Sequence, residues 1–183
     1  MRALRNAVPL SACAERSARV VARLAALEPI ARARSLALFW PILERHEVDL
    51  RALDEQLRSR GVRVAYPAVE PESREMTLRF VDRLDDMREH GFGFREPPPT
   101  AAEATPGSLD AIVVPALAVD PGGHRIGYGA GYYDATLPAY VPPAASLVVA
   151  FDFQLIAEVP VTAGDVRLDW VVTDQRELRA QTT

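Results

Sequence analysis

A glycine-rich stretch over residues 125–134 carries the most specific chemistry in this sequence. It reads Arg-Ile-Gly-Tyr-Gly-Ala-Gly-Tyr-Tyr-Asp, with glycine at every second position from 127 to 131. Glycines allow the backbone to come close to a phosphate, and the free N–H groups then act as donors to the anion. Arg125 adds a forked cation, and Asp134 adds a carboxylate that suits magnesium. The stretch therefore predicts a phosphate-binding loop.

The elements around this stretch suit that chemistry. Residues 111–114 are Ala-Ile-Val-Val and predict a buried strand, and residues 132–139 predict a short helix. A strand, a glycine-rich turn and a helix in that order bring the positive end of the helix dipole to the anion. The alternating glycines match neither the dinucleotide fingerprint nor the Walker pattern, and the chain contains no lysine for the latter. On spacing alone, a plain tight turn between strand and helix is an open alternative.

The residue types in this stretch are more specific than their spacing. Residues 125–134 closely resemble the signature of the 5-formyltetrahydrofolate cyclo-ligase family, in which Arg-Leu-Gly-x-Gly-x-Gly-Tyr-Tyr-Asp follows a strand ending in Val-Pro. Val114 and Pro115 stand in the matching place, and weaker matches extend over most of the chain. The resemblance implies an ATP- and Mg²⁺-dependent C–N ligase. Its reaction would be closure of 5-formyltetrahydrofolate to 5,10-methenyltetrahydrofolate, with release of ADP and phosphate.

The resemblance also implies roles for individual residues. The carboxylates of Asp134 and Asp165 would hold Mg²⁺, directly or through water. Catalytic roles would fall on Arg125, Tyr133 and Glu47. ATP contacts would come from an N-terminal arginine and the glycine-rich stretch, namely Arg5, Arg125, Ile126, Gly127, Tyr128, Gly129, Ala130, Gly131, Tyr132 and Tyr133. Folate contacts would come from Ile42, Glu47, Tyr128, Gly129, Ala130, Gly131 and Tyr132.

Three positions depart from the family pattern. Met1 falls where the family's N-terminal Lys-x-x-Leu-Arg element has its lysine, although Arg5 matches the end of that element. Ala130 stands where lysine is common, and Gly164 stands where many members have histidine. These changes remove positive charge from the ATP side. Two alternatives therefore stay open: a relative that binds nucleotide or folate without closing the ring, and a phosphate-binding interaction module. Glu47 argues against the second, because a bare phosphate binder does not need it.

Hydrophobic periodicity predicts an α/β chain. Residues 35–40 and 62–65 are typical of strands, and residues 49–60 between them are typical of a helix, which gives a βαβ unit with parallel strands. The resemblance implies a three-layer α/β/α architecture with a mostly parallel, Rossmann-like sheet in a single domain over residues 1–183. Further predicted elements are a helix capped by Ser11 and running to about residue 27, and strands over residues 146–151 and 168–173.

Glu47 lies between the first predicted strand and the helix that follows it. This places it at the carboxyl end of a strand, where open α/β sheets bind their ligands. The residues alone nevertheless favour a solvated loop acid or a charge at a helix start. The substrate role of Glu47 therefore follows from the resemblance.

Composition limits the class of protein. The hydrophobic share of 49% and the charged share of 25% are ordinary for a soluble globular chain, and the net charge of −4 argues against a nucleic-acid binder. Cys13 is the single cysteine, which excludes a disulfide within the chain and indicates a reducing compartment. No run reaches membrane length, and residues 1–9 lack the apolar segment of a signal peptide. We therefore expect a cytoplasmic monomer that binds ATP and a folate, and neither a membrane nor nucleic acid.

Overall fold

A computed structural model describes residues 1–70, 75–90 and 94–180. The helices are α1 (Arg2–Asn6), α2 (Leu10–Ala26), α3 (Glu28–Ala31), α4 (Arg51–Ser59) and α5 (Tyr132–Thr136), with short 3-10 turns at Leu43–Arg45, Leu84–Asp86, Leu137–Ala139 and Asp152–Gln154. The strands are β1 (Ser35–Ala37), β2 (Arg63–Glu70), β3 (Glu75–Phe80), β4 (Arg88–His90), β5 (Phe94–Glu96), β6 (Ala111–Pro115), β7 (Ala118–Val119), β8 (Arg125–Ile126), β9 (Ala145–Val149), β10 (Trp170–Val172) and β11 (Glu177–Arg179).

A seven-stranded sheet forms the centre of the molecule, in the order β11-β10-β9-β6-β1-β2-β3. The five inner strands are parallel to one another, and β11 and β3 close the two edges as antiparallel strands. Two antiparallel hairpins, β4–β5 and β7–β8, lie outside this sheet. The mostly parallel sheet predicted for the chain is confirmed.

The inner strands are buried on both faces, as a doubly covered parallel sheet requires. In β6, Ala111 and Val113 pack into one hydrophobic cluster, and Ile112 and Val114 pack into a second. Because successive side chains of a strand point to opposite faces, these two clusters lie on the two sides of the sheet. This double burial explains why the strand is a continuous apolar run without polar alternation.

The helices α2 and α4 cover the first of these clusters. Val20, Val21 and Leu24 of α2 and Leu53 and Leu57 of α4 are all buried in it. The opposite face is covered by α5 and the 3-10 turn that follows it, where Leu137 and Tyr140 are buried. None of the helices in the described ranges combines the length and apolar character needed to span a bilayer.

Several predicted element boundaries are wrong. The helix α2 begins at Leu10, with Pro9 at its N-cap and no side-chain cap, so Ser11 does not cap it. Pro9 supplies a fixed φ of −57°, and its carbonyl accepts a hydrogen bond from Cys13 N at 3.0 Å. The first strand ends at Ala37 and not at residue 40, because Phe39 and Trp40 turn to line a cleft.

Candidate active site

A cleft of about 540 Å³ opens at the carboxyl ends of the parallel strands. Phe39 and Trp40 follow the end of β1, and Pro115 is the last residue of β6; all three line the cleft. Open α/β sheets bind their ligands at this edge. The volume lies within the range of roughly 300–1,000 Å³ that is usual for small-molecule sites.

Bare main chain from the glycine-rich loop forms one wall of the cleft. Gly129 and Gly131 have φ angles of 94° and 74°, in the left-handed region that favours glycine. A Cβ at either position would meet nothing within 4 Å, so both sites face open space. The amides of residues 127–131 donate no hydrogen bond to any residue that the structure describes. Consecutive unpaired donors in a cleft wall suit an anionic ligand.

The hairpin β7–β8 fixes the base of this loop. Asp120 accepts hydrogen bonds from His124 N at 3.0 Å and from Val159 N at 2.9 Å. Burial acts to raise the pKa of Asp120, but the hydrogen bonds from Val159 and His124 outweigh it and lower the pKa. Gly123 has a φ of 88°, and a Cβ there would lie 2.2 Å from the carbonyl oxygen of Leu168, so no side chain fits. The loop is therefore anchored at its start by an ionised carboxylate and a close backbone contact.

Arg125 is a buried cation at the start of the loop. Its Nη2 donates to Asp134 Oδ1 at 2.9 Å, and its guanidinium carbon lies 5.5 Å from the centre of the Tyr133 ring. The side chain is 5% exposed, and its buried Nε has no hydrogen-bond partner in the described part of the chain. A Cβ at Gly127 would approach Arg125 Nη1 to 2.9 Å, so glycine leaves room for the guanidinium. A buried spare donor beside unpaired amides favours an oxyanion.

The carboxylates of Asp134 and Asp165 both line the cleft. Asp134 Oδ1 accepts from Arg125 and from Val166 N at 3.2 Å, and Asp165 Oδ2 accepts from Thr162 N at 2.6 Å. The second oxygen of each carboxylate accepts no hydrogen bond from a described residue. Magnesium is commonly held by one or two carboxylates together with phosphate oxygens and water, so this donor set fits it. Among the described residues, no group of three or more Asp, Glu, His or Cys side chains could hold a metal ion. A metal at this site would therefore also need phosphate or water ligands.

Glu47 is a buried acid on the same cleft, with 6% of its surface exposed. Its Oε2 accepts from Ile42 N at 2.9 Å, and its Oε1 accepts from the hydroxyl of Tyr128. Burial raises the pKa of Glu47, although these two hydrogen bonds and the charges of Arg5 and Arg45 oppose that rise. A raised pKa makes this carboxyl a better proton acceptor than an exposed glutamate.

Tyr128 connects Glu47 to a cluster of arginines. Arg5 Nη2 donates to the Tyr128 hydroxyl at 2.6 Å. The guanidinium carbons of Arg2, Arg5 and Arg45 lie 5.4–5.6 Å from the centre of the Tyr128 ring. Burial, followed by the negative charge of Glu47, raises the pKa of Tyr128, so its hydroxyl keeps its proton and donates. Positive charge is thus concentrated where the glycine-rich loop meets Glu47.

Apolar side chains form another wall of the cleft. Trp40 lies against Tyr66, with ring centres 6.4 Å apart and planes at 58°. The hydroxyl of the buried Tyr66 donates to Asp54 at 2.8 Å, which fixes the ring on which Trp40 rests. This wall suits a flat aromatic ligand. Its residues are Phe39, Trp40, Pro67, Val69, Met76 and Phe94.

The predicted site residues converge on this cleft with one exception. Ile42, Glu47, Asp165 and all of residues 125–134 line it, whereas Arg5 contacts the cleft-lining Tyr128 without lining the cleft itself. Sequence reasoning missed several other lining residues, among them Trp40, Arg45, Phe94 and Arg95. The available signal for Trp40 was its place at the end of a predicted strand. The two arginines carry no such signal, because they resemble any solvated charge in the sequence.

Known proteins resemble this chain over most of its length. The model of the 5-formyltetrahydrofolate cyclo-ligase family matches residues 1–174. The 5-formyltetrahydrofolate cyclo-ligase of Escherichia coli is 31% identical over 158 residues, which cover 84% of this chain and 85% of the relative. The protein of the same name from Mycolicibacterium smegmatis is 46% identical over 90 residues, 49% of this chain and 46% of the relative. The NMR structure of Aquifex aeolicus 5,10-methenyltetrahydrofolate synthetase matches with a TM-score of 0.83 and 28% identity, over 98% of this chain and 88% of that one.

Proposed function

Because this chain belongs to the 5-formyltetrahydrofolate cyclo-ligase family, we propose that its cleft closes 5-formyltetrahydrofolate to 5,10-methenyltetrahydrofolate with ATP and Mg²⁺. One observation carries the proposal. The unpaired amides of residues 127–131 and the buried carboxylate of Glu47 line a single cleft, and Tyr128 joins them. A phosphate donor and a polar heterocycle can therefore be held side by side.

The chemical problem explains why both ligands are needed. The oxygen of an N-formyl group is a poor leaving group. Transfer of the γ-phosphoryl group of ATP to that oxygen releases ADP and makes the formyl carbon electrophilic. The N10 amine then attacks this carbon, the C–O bond breaks with its electron pair leaving on phosphate, and N10 loses its proton. Positioning and charge neutralisation are the protein's main contributions to such a reaction.

The loop and its arginine supply the phosphate site in this proposal. The free amides of residues 127–131 donate to phosphate oxygens, and the spare Nε of Arg125 donates to the oxygen that becomes most negative during transfer. Arg5 acts through Tyr128, since it does not itself line the cleft. Tyr133 keeps the Arg125 guanidinium in place by contact with its face.

Asp134 and Asp165 would hold Mg²⁺ beside these phosphates. Each carboxylate presents one oxygen without a hydrogen-bond partner among the described residues, which is the donor set that magnesium needs together with phosphate. When bound, the ion would offset charge on the phosphate oxygens. The Arg125 contact to Asp134 Oδ1 leaves Oδ2 available for this role.

The folate lies against Glu47 in this proposal. The Glu47 carboxylate accepts hydrogen bonds from the amino and ring N–H groups of a pterin, and Ile42 packs beside it. Burial strengthens such bonds because water is excluded from the pair. A module that binds only phosphate has no use for a buried carboxylate in the same cleft, which is why we prefer an enzyme that acts on folate.

The test is to follow the near-ultraviolet absorbance of the methenyl product after 5-formyltetrahydrofolate and Mg-ATP are mixed with the protein. We expect product to form with one ADP and one phosphate released per turnover, and no product without ATP or Mg²⁺. Asp134→Ala should lower turnover at saturating ATP by roughly a hundredfold or more, because it removes a ligand of the ion and the partner of Arg125.

Asp85→Ala is the matched control, because Asp85 is an exposed aspartate paired with Arg83 away from the cleft. It should retain wild-type turnover. Binding of both ligands without product would support a relative that binds without closing the ring. Binding of phosphate ligands alone, with no affinity for the folate, would leave only a phosphate-binding module.

A further inference from the structure

Arg95 lies at the apolar wall of the cleft, and among the described residues the other arginines that line the cleft are Arg45 and Arg125. Its guanidinium carbon is 5.5 Å from the centre of the Trp40 ring, and both residues line the cleft. The side chain is exposed and forms no hydrogen bond or ion pair within the described ranges. Glu89 is its cross-strand neighbour on β4, but the two side chains form no ion pair in the described part of the chain. The cation is therefore held over an aromatic face with its donors available.

Both partners of this contact are fixed from behind. Glu96, the next residue of β5, is buried, and its Oε1 accepts a hydrogen bond from Val69 N at 3.0 Å. This bond ties the β4–β5 hairpin to β2. Trp40 rests on Tyr66, which is itself bonded to Asp54. The contact between Arg95 and Trp40 thus joins two segments that are each held in place by other contacts.

The arginines that line the cleft contact different aromatic rings. Arg125 and Arg45 lie where the glycine-rich loop meets Glu47, beside Tyr133 and Tyr128. Arg95 lies instead beside Trp40. The substrate is an extended molecule: N5 is part of the pterin, N10 joins the pterin's methylene group to the aminobenzoyl ring, and the glutamate carboxylates stand at the far end. With the pterin against Glu47 and the formyl group at the loop, the ring must leave along the apolar wall.

We propose that Arg95 binds the α-carboxylate of the glutamate tail of the folate, while the aminobenzoyl ring packs against Trp40. This inference rests on the proposed function, since it assigns a further part of the same substrate. The planar guanidinium forms paired hydrogen bonds to a carboxylate and stays stacked on the indole face as it does so. Arg95 determines affinity and takes no part in the chemical step.

A cycle of one substitution and one substrate truncation tests this site. Dissociation constants are measured by isothermal titration for 5-formyltetrahydrofolate and for its pteroate analogue, which lacks the glutamate. Arg95→Met should weaken binding of the full folate about tenfold, as expected for loss of a hydrogen bond to a charged group, and should leave binding of the analogue within about twofold. In turnover, KM for the full folate should rise by the same factor while kcat is unchanged.

Arg88→Met is the matched control, because Arg88 is an exposed arginine on β4 of the same hairpin that does not line the cleft. It should leave both dissociation constants unchanged. Equal weakening of both folates by Arg95→Met, or no weakening of either, would overturn the tail site. Failure of the wild type to bind either folate would overturn both proposals. The expected binding pattern without any product would instead overturn ring closure alone and leave the tail site standing.

Discussion

Tyr128 joins the buried carboxylate of Glu47 to the buried guanidinium of Arg5 at the wall of the cleft. Its hydroxyl donates to Glu47 and accepts from Arg5, and the guanidinium groups of Arg2, Arg5 and Arg45 lie near its ring. Glu47 thereby keeps a raised pKa in spite of two nearby arginines, because burial is the largest influence on it. A carboxylate in this state is costly to the fold, and such groups are concentrated at functional sites.

Glu47 should make the stability of the protein depend on pH. Its pKa is raised in the folded state, so the folded protein holds this proton more tightly than the unfolded chain. The resulting stabilisation is fully present below the ordinary glutamate pKa of about 4.3 and is lost as pH rises through the folded value. Glu47→Gln removes this titration. We expect the Tm of the variant, relative to wild type, to rise as the pH increases from about 4 to beyond the folded pKa of Glu47.

Thermal unfolding of both proteins across that range gives the measurement. Only the change of the difference with pH matters, because the amide also alters the hydrogen bond to Ile42 N. A difference that stays constant with pH, or one that falls, would show that Glu47 is not held with a raised pKa.

The glycine-rich loop works as an element because its two ends are fixed and its middle is not covered. Asp120 and Gly123 tie its start to Val159 and Leu168, and α5 begins directly after Gly131. Between these anchors the backbone adopts left-handed angles that leave its amides unpaired. The amides in the middle of the loop are therefore available to a ligand, because a turn that satisfied its own amides could not donate to one.

Gly131→Ala should weaken ATP binding by more than its cost to the fold explains. At a φ of 74° an alanine is strained by about 1–2 kcal/mol, and its methyl group would project into the open cleft beside the amides. Gly107→Ala provides the comparison, because Gly107 has a φ of 80° and equally open surroundings but does not line the cleft.

Both glycine variants should lose a few degrees of Tm, at roughly 2–4 °C per kcal/mol for a chain of this size. Only Gly131→Ala should raise KM for ATP, by about tenfold or more. If KM rises equally in the two variants, or in neither, the loop is not the phosphate site.

The amount that could be predicted from the sequence differed between elements. The loop and Asp134 were predictable because their signature is contiguous and lies between a strand and a helix. Glu47 was recognised only through the resemblance, since its partner Tyr128 is 81 residues away in the chain. The edge strand β11 was missed because Glu177–Arg179 has no apolar run. Trp40 and Arg95 meet through a hairpin whose position depends on tertiary contacts, which no local pattern in the sequence records.

The order of the strands brings the residues of the candidate site together at the edge of the sheet formed by the strands' carboxyl ends. Five parallel strands point their carboxyl ends towards the cleft, and two hydrophobic clusters hold the sheet rigid from both faces. The Aquifex aeolicus structure follows nearly the same course over 98% of this chain. Segments far apart in sequence, such as the one after β1 and the loop before α5, are brought together by this strand order.

A crystal structure with Mg-ADP and 5-formyltetrahydrofolate is the most direct test of the central claim. We predict the β-phosphate within hydrogen-bonding distance of the amides of residues 127–131, the metal at Asp134, and the pterin edge against Glu47. A nucleotide bound elsewhere with this loop empty, or a folate that makes no contact with Glu47, would contradict it.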